Sequence, residues 1–380
     1  MRRFFALIFI GTLCLGCGPQ SNRPDLGRQL QSILDAEVQG NDAVRSAALH
    51  VDAPALGLNW EGAAGMADPG IGIPMTAKTP SRIASNTKTF IAAAVLRLVE
   101  EQMLEIDDPI ADHLPSEFVE MLEGDGYDTR VMRVRHLLTH TSGLFDHSAP
   151  DSYTEAFLAD PMHRWTRTEQ LQGAVDWGDP HGPPGQFYTY CDSGYVLLGI
   201  VIEDATGQPM AVAVRELLDY EKLGLDSTWW ETLEPQPTGI PDRAHQFYGD
   251  HDTFDFHPSY DLYGGGGLVS TVGDLARFYR ALFTGGVYDD PATSDLMLTT
   301  IEGVQPLPDA GPLGYRMGIW VTEFEGLTTY MHTGFFGTLA AYVPDLDLAV
   351  AVTVNQNQSG GARHGLALEA IKVVAEARPE

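Results

Sequence analysis

The stretch Ser81-Arg82-Ile83-Ala84-Ser85-Asn86-Thr87-Lys88-Thr89-Phe90-Ile91-Ala92-Ala93-Ala94 decides how the chain is read. It opens polar and turns almost wholly apolar, so it predicts a buried helix over Ala84 to Glu101. Ser85 and Lys88 are three residues apart and fall on one helical face. A serine hydroxyl is a poor nucleophile until a base takes its proton. A lysine can be that base only if burial or nearby positive charge lowers its pKa. The apolar helix offers the burial. Its N-terminus offers backbone N–H groups and a dipole that favour negative charge developing at Ser85. By spacing alone the signal is weak, because a chance Ser-x-x-Lys is expected in about one in six such chains. None of the other lysines (Lys78, Lys222, Lys372) has a serine three residues before it.

The 380 residues are 44% hydrophobic, which excludes disorder as the main state and allows one large domain or two closely packed ones. Lys and Arg total 23 against 52 Asp and Glu, a formal charge of −29. A field of that sign repels phosphate backbones, so no nucleic-acid partner is expected. Arg2 and Arg3 precede an apolar run from Phe4 to Leu15, too short to span a bilayer. Leu13-Cys14-Leu15-Gly16-Cys17 then resembles a bacterial lipobox, although Cys14 stands where an aliphatic residue is usual. The expectation is a signal peptide over 1–16, a lipidated Cys17 and a polar tether over 17–29. The chain would then be exported and held at a membrane facing the periplasm or cell exterior. A simply cleaved signal peptide is the alternative. With Cys14 and Cys17 removed or acylated, Cys191 has no disulfide partner.

The mature chain shows no repeat. Residues 25–38 read as an amphipathic helix and Arg45 to Gly65 as a hairpin. A short helix over 132–139, a loop over 179–185 and a helix from Tyr195 follow. Leu268 to Ser270 reads as a strand before a helix from Asp274 to Phe283. Thr328–His332, Leu339–Val343 and Leu348–Asn355 read as strands, and Leu366–Ala377 as a closing helix. Strands at both ends with helices between predict an α+β fold. Its antiparallel sheet would come from residues 30–84 and 265–380, flanked by helices, with a mostly helical insertion over 85–264.

The segment around Ser85 resembles the active-site segment of the serine β-lactamase and penicillin-binding-protein superfamily, nearest the class C β-lactamase and DD-peptidase-like subgroup. Further stretches resemble it in the same order: Leu104 to Pro109, Arg135 to Gly143, Pro184 to Gly199, Gly266 to Thr271, and His332-Thr333-Gly334. The resemblance covers roughly residues 30 to 375 and implies the β-lactamase/transpeptidase-like fold. It assigns Ser85 as the acylated nucleophile, Lys88 as its base and Tyr190 as the proton shuttle. A phenol does that only if its pKa falls, and a neighbouring lysine cation would lower it. The backbone N–H groups of Ser85 and Phe335 would form the oxyanion hole. Substrate would lie along an edge strand at His332, Thr333 and Gly334.

Two departures bear on chemistry. The second motif usually ends in Asn, and Asp192 stands there. An ionised Asp192 can only accept hydrogen bonds. It would hold Lys88 charged and fail to bind the acylamide carbonyl of penicillins, so weak β-lactam turnover is expected, with preference for a substrate bearing an amine or N–H. His332 replaces the usual lysine and would be only partly charged near neutrality. Arg363 could supply the missing charge, or be structural.

Other candidates are weaker. His136, His140 and His147 could bind zinc, but no H-E-x-x-H is present, so no metal or cofactor is expected. The glycines at 264–267 suit a tight backbone approach better than a phosphate loop. Trp229, Trp230 and the aromatics of Phe247 to Tyr260 could wall a substrate site or pack a core. Cys191 reads as a small buried residue. The reading is therefore an exported serine hydrolase working through an acyl-enzyme. Its substrate would be a small molecule or peptide: a D-amino-acid peptide such as a peptidoglycan stem peptide, a β-lactam, or a small ester. A slow or non-catalytic binder of penicillins or cell-wall peptides is the alternative, motivated by Asp192.

Overall fold

The computed structural model describes residues 25–307 and 314–378. The expected signal peptide, Cys17 and the first part of the expected tether lie outside the described residues. The last part of that tether is already helical. Helix α1 spans Leu26–Gly40, and the Asp25 side chain caps it by accepting the Arg28 N–H at 3.1 Å.

Strands β1 (Ser46–Ala53), β2 (Leu58–Asp68) and β3 (Ile73–Pro74) follow α1. Helix α2 is Thr87–Glu100, α3 is Asp192–Thr206, β4 is Leu268–Ser270 and α4 is Val272–Phe283. Strands β5 (Trp320–Phe324), β6 (Leu327–Gly334), β7 (Thr338–Val343) and β8 (Leu348–Thr353) precede α5 (Ala362–Glu376). The seven-stranded sheet has the order β5-β6-β7-β8-β1-β2-β3, with every neighbouring pair antiparallel. The two ends of the chain meet where β8 pairs with β1, Val350 opposite Val51 and Val352 opposite Leu49.

Side chains alternate across this sheet, and both faces are covered. Leu49, Val51, Val350 and Val352 point to the side where Leu30 and Leu34 of α1 and Leu366 and Ile371 of α5 lie. Ala48, Ala349 and Ala351 point to the other side, into the main core that holds Leu275, Phe278 and Leu282 of α4. Small residues on that second face let α4 lie close to the sheet. Burying each large side chain is worth roughly 1.5–3 kcal/mol, so the two layers hold the sheet from both sides.

Helix α2 explains the apolar run. Every residue from Thr87 to Leu96 is buried, so it is enclosed on all sides rather than amphipathic. Phe90 stacks on Phe278 of α4, with ring centroids 3.7 Å apart. A second, small sheet aligns the helix start. Ser81 and Arg82 pair with Ser270 and Val269 of β4, whose other neighbour is Trp229–Trp230. Both tryptophans are buried, so they pack core and do not wall a site.

Several boundaries differ from the sequence reading. Ala84–Asn86 forms a 3-10 turn before α2. Helix α3 begins at Asp192, three residues before the apolar run. Strand β5 was not expected; its Trp-Val-Thr-Glu-Phe sequence is only partly buried at the sheet edge. Helices at Ser116–Gly124, Asp151–Ala159, Arg167–Asp176 and Met210–Leu217 fill out the region between α2 and α3 and beyond. Among the described residues no single helix is long and apolar enough to cross a membrane.

Candidate active site

Ser85 lies on the tight turn that opens α2 and lines a cleft of about 520 Å³. The Ile83 N–H donates to Leu268 O at 2.9 Å, so the small sheet holds this turn against the glycine run. Lys88 follows one turn later and is fully buried. Its ammonium donates to Ser85 Oγ at 3.0 Å and to Gly265 O at 2.6 Å, and pairs with Asp192 Oδ1 at 2.6 Å. Two of the ammonium's donors are used on Ser85 Oγ and Gly265 O, and the aspartate contact is an ion pair by proximity. The glycine run thus supplies a carbonyl to the lysine. Gly266 lets the Asp261 carboxylate lie against this run: a Cβ there would meet Asp261 Oδ1 at 2.1 Å and displace that side chain.

Tyr190 lines the same cleft, and the Lys88 ammonium lies 5.0 Å from its ring centroid. The expectation of a depressed phenol pKa is corrected. Burial pushes Tyr190 well above its ordinary value, and the Asp192 charge pushes the same way against a contact with the Ser85 hydroxyl. Burial also raises Asp192, but the adjacent Lys88 more than reverses this and leaves the carboxyl below its usual value. At rest the site therefore holds a neutral phenol beside a lysine–aspartate ion pair.

Two further carboxyl groups face the cleft. Asp146 is raised to about 7 by burial and by Asp192, and Asp261 to about 6 by the same two causes. Ser148 Oγ lies 3.0 Å from Asp146 Oδ1 and 3.2 Å from Asp192 Oδ2, bridging the pair. The same cleft is lined by the aromatic side chains of Tyr153, Phe157 and Tyr260.

The third motif sits at the end of β6. This strand is not the sheet edge as expected, since β5 lies outside it. Trp320 at the start of β5 pairs with Met331, however, so His332, Thr333 and Gly334 run past β5 and pair only with β7 in the sheet. Gly334 allows a close crossing: a Cβ there would meet Ile83 O at 2.2 Å. That crossing brings the chain at Phe335 toward the Ser85 turn. The Phe335 ring is 37% exposed and stacks on Tyr248.

The partly charged His332 is also corrected. It is buried; one ring nitrogen, Nδ1, donates to Thr333 O at 2.8 Å and Nε2 accepts from Tyr315 OH at 3.0 Å. Burial and then Lys88 lower its pKa to about 3, so the imidazole is neutral. Arg363 lines the cleft, and its Nη1 donates to Gly334 O at 2.9 Å.

Residues 38–375 match the family model described as Beta-lactamase. The chain belongs to the beta-lactamase family. It is a serine hydrolase of that family, with the fold of its relatives. Over 305 residues it is 27% identical to an Escherichia coli (strain K12) protein provisionally named a D-alanyl-D-alanine carboxypeptidase, covering 73% of this chain and 69% of that one. It is 26% identical over 337 residues to penicillin-binding protein 4 of Amycolatopsis lactamdurans, covering 80% and 81%. The solved D-amino acid amidase from Ochrobactrum anthropi SV3, complexed with L-phenylalanine amide, superposes with a TM-score of 0.76 at 25% identity, over 93% of this chain and all of that one.

In this beta-lactamase-family chain the remaining sequence candidates have separate places. Nδ1 of His136 accepts the Arg133 N–H, that of His140 the Cys191 N–H, and that of His147 meets Ser193 Oγ. These are three different contacts. Cys191 is buried at the start of α3, its thiol raised by burial. Tyr260 alone of the two aromatic groups singled out from the sequence lines the cleft. Asp146, Ser148, Asp261 and Tyr315 were missed. Asp146 and Ser148 lie in a loop, Asp261 in a short 3-10 turn and Tyr315 at an isolated bridge, where no periodicity or spacing marks them.

Proposed function

We propose that the protein hydrolyses amides or esters of amine-bearing acyl groups, D-amino-acid amides and peptides foremost, through an acyl-Ser85 intermediate. The observation that carries this is the buried Lys88 held 3.0 Å from Ser85 Oγ while paired with Asp192. Ser85 Oγ attacks the carbonyl carbon, and its proton passes to Tyr190 in the fraction of molecules whose phenol is ionised. The backbone N–H groups of Ser85 and Phe335 receive the oxyanion. Tyr190 returns the proton to the leaving amine, and water then releases the acid. Lys88 acts as a fixed cation beside the developing charge more than as the base.

Support for an amine on the acyl group comes from the carboxylates. Asp146, Asp192 and Asp261 face the cleft, where Lys88 is paired with Asp192 and Arg363 also lines the wall. An incoming ammonium would favour the ionised forms of Asp146 and Asp261, whose pKa values of about 7 and about 6 leave them poised to take up a cation. It would also offset the effect of Asp192 on Tyr190 and so promote ionisation of the phenol. The aromatic wall suits an apolar side chain. The same ion pair supports a second reading, a slow binder that acylates once. We further place the chain outside the cytoplasm as a Cys17 lipoprotein, supported by residues 2–17 of the sequence; loss of lipid labelling in Cys17→Ala tests this.

The test is intact-mass spectrometry of the purified protein with benzylpenicillin, p-nitrophenyl acetate and D-phenylalanine p-nitroanilide, with Ser85→Ala as control. An adduct or turnover lost in the control establishes the nucleophile. A persistent adduct without turnover favours the binder. Turnover that survives Ser85→Ala would overturn the mechanism.

A further inference from the structure

We infer that His140 is the positioning residue for Tyr190, an assignment that rests on the proton-carrier role proposed for that tyrosine. His140 grips the chain on both sides of it. The His140 carbonyl accepts the Thr189 N–H at 3.1 Å. Its ring Nδ1 accepts the Cys191 N–H at 3.2 Å. Between these two contacts the Tyr190 ring lies against the imidazole, with centroids 4.3 Å apart. One residue therefore fixes the backbone before and after Tyr190 and supports its side chain.

Two observations set His140 apart from a histidine that merely packs. Its backbone is left-handed at φ 56°, a region unusual for a side chain of this size and retained where geometry matters. Its Nε2 is buried with no hydrogen-bond partner among the described residues. Burial keeps the ring neutral, and because Nδ1 accepts, the proton sits on Nε2, among the rings of Tyr190, Tyr195 and Tyr315. Leaving a buried donor unpaired is unfavourable, so the acceptor role of Nδ1 toward Cys191 is what the imidazole contributes here. Cys191 is the N-cap of α3, so its N–H precedes the helical ladder and needs a partner from elsewhere.

The test uses side chains that fit the left-handed backbone. Asparagine adopts it readily and offers Oδ1 in place of Nδ1; glycine adopts it and offers nothing. With D-phenylalanine p-nitroanilide, His140→Gly should lower kcat on the order of tenfold to a hundredfold while KM stays within about twofold, because a small misplacement of a catalytic group has that effect. His140→Asn should restore most of the loss. Acylation by p-nitrophenyl acetate should suffer less, since its leaving group departs without a proton. In a Tyr190→Phe background, His140→Gly should cost little more. An unchanged anilide rate in Tyr190→Phe alone would defeat the proton-carrier reading. A Tyr190→Phe loss beside an unimpaired His140→Gly, or losses that multiply independently, would overturn the positioning role and leave that reading standing. Should the glycine variant not fold, His140→Ala, which likewise lacks the acceptor, replaces it: a kcat loss that nearly vanishes in the Tyr190→Phe background is expected, and an unimpaired kcat counts against the inference.

Discussion

Lys88 Nζ lies 2.6 Å from Asp192 Oδ1, closer than the 3.0 Å that separates it from Ser85 Oγ. The lysine is thus committed to a carboxylate before it meets the nucleophile. Burial raises the phenol that would take the Ser85 proton, and the carboxylate that pairs Lys88 raises it further. Burial sets most of that rise, and the part that one substitution can lift is the Asp192 charge.

Replacing Asp192 should lift that part. In Asp192→Asn, Tyr190 loses a charge that raises its pKa, so the alkaline limb of the acylation rate should move to lower pH. The amide can also donate to an acylamide carbonyl, so acylation by benzylpenicillin should rise. Turnover of D-phenylalanine amide should show a higher KM, because a carboxylate facing its ammonium is gone. Stopped-flow acylation across pH checks all three. A limb that stays in place, with the fold intact, would show that Asp192 does not govern the base.

Asp261 offers a cleaner test of charge recognition. It lines the cleft but makes no contact with Lys88 or Ser85 among the described hydrogen bonds and ion pairs. Asp261→Asn should raise KM for cationic amides several-fold, roughly 1 kcal/mol for one partly screened charge. It should change the p-nitrophenyl acetate reaction much less, and then only through the smaller push that Asp261 exerts on Tyr190. Equal effects on both substrates would mean that the residue acts through packing.

The sheet and the central helix were legible because their patterns are strong. The runs Leu348–Thr353 and Phe90–Leu96 are apolar on every side, and such segments must be interior. The Ser85, Lys88 and Tyr190 motifs were legible as well, through residue type and order. The charge states were not. A resting phenol pushed up, and a His332 made neutral between Thr333 O and Tyr315 OH, depend on burial and on partners distant in sequence. Strand β5 escaped notice for a related reason: a half-buried edge carries little alternation.

Gly334 should tolerate no side chain. The Cβ of Gly334→Ala would sit 2.2 Å from Ile83 O, a backbone atom that cannot step aside. To relieve the clash the strand end must retreat from the Ser85 turn. Stability should drop by about 1–3 kcal/mol. Acylation of Ser85 should fall by on the order of a hundredfold as the Phe335 N–H moves off the oxyanion position. Denaturant unfolding and burst amplitudes read the two effects separately. Normal acylation in a folded variant would remove Phe335 from the oxyanion hole.

His332 gives a prediction with a definite sign. Its pKa is lowered from 6.5 to about 3 in the folded state, by burial first and Lys88 second. Between those values the unfolded chain binds a proton that the folded chain does not, so stability is full above about 6.5 and is lost as pH falls. The slope for one such group is at most about 1.4 kcal/mol per pH unit. His332→Gln keeps a donor and an acceptor for Thr333 O and Tyr315 OH but has no proton to gain. Urea unfolding of both proteins from pH 7 to pH 4 should therefore show the difference moving steadily in favour of the glutamine variant. The other buried histidines cancel in that comparison, because both proteins carry them. A difference independent of pH, or one that favours the wild type in acid, would mean that His332 is charged in the folded protein. It would then be free to bind an anionic substrate group, and the case for a cation-selective cleft would weaken with it.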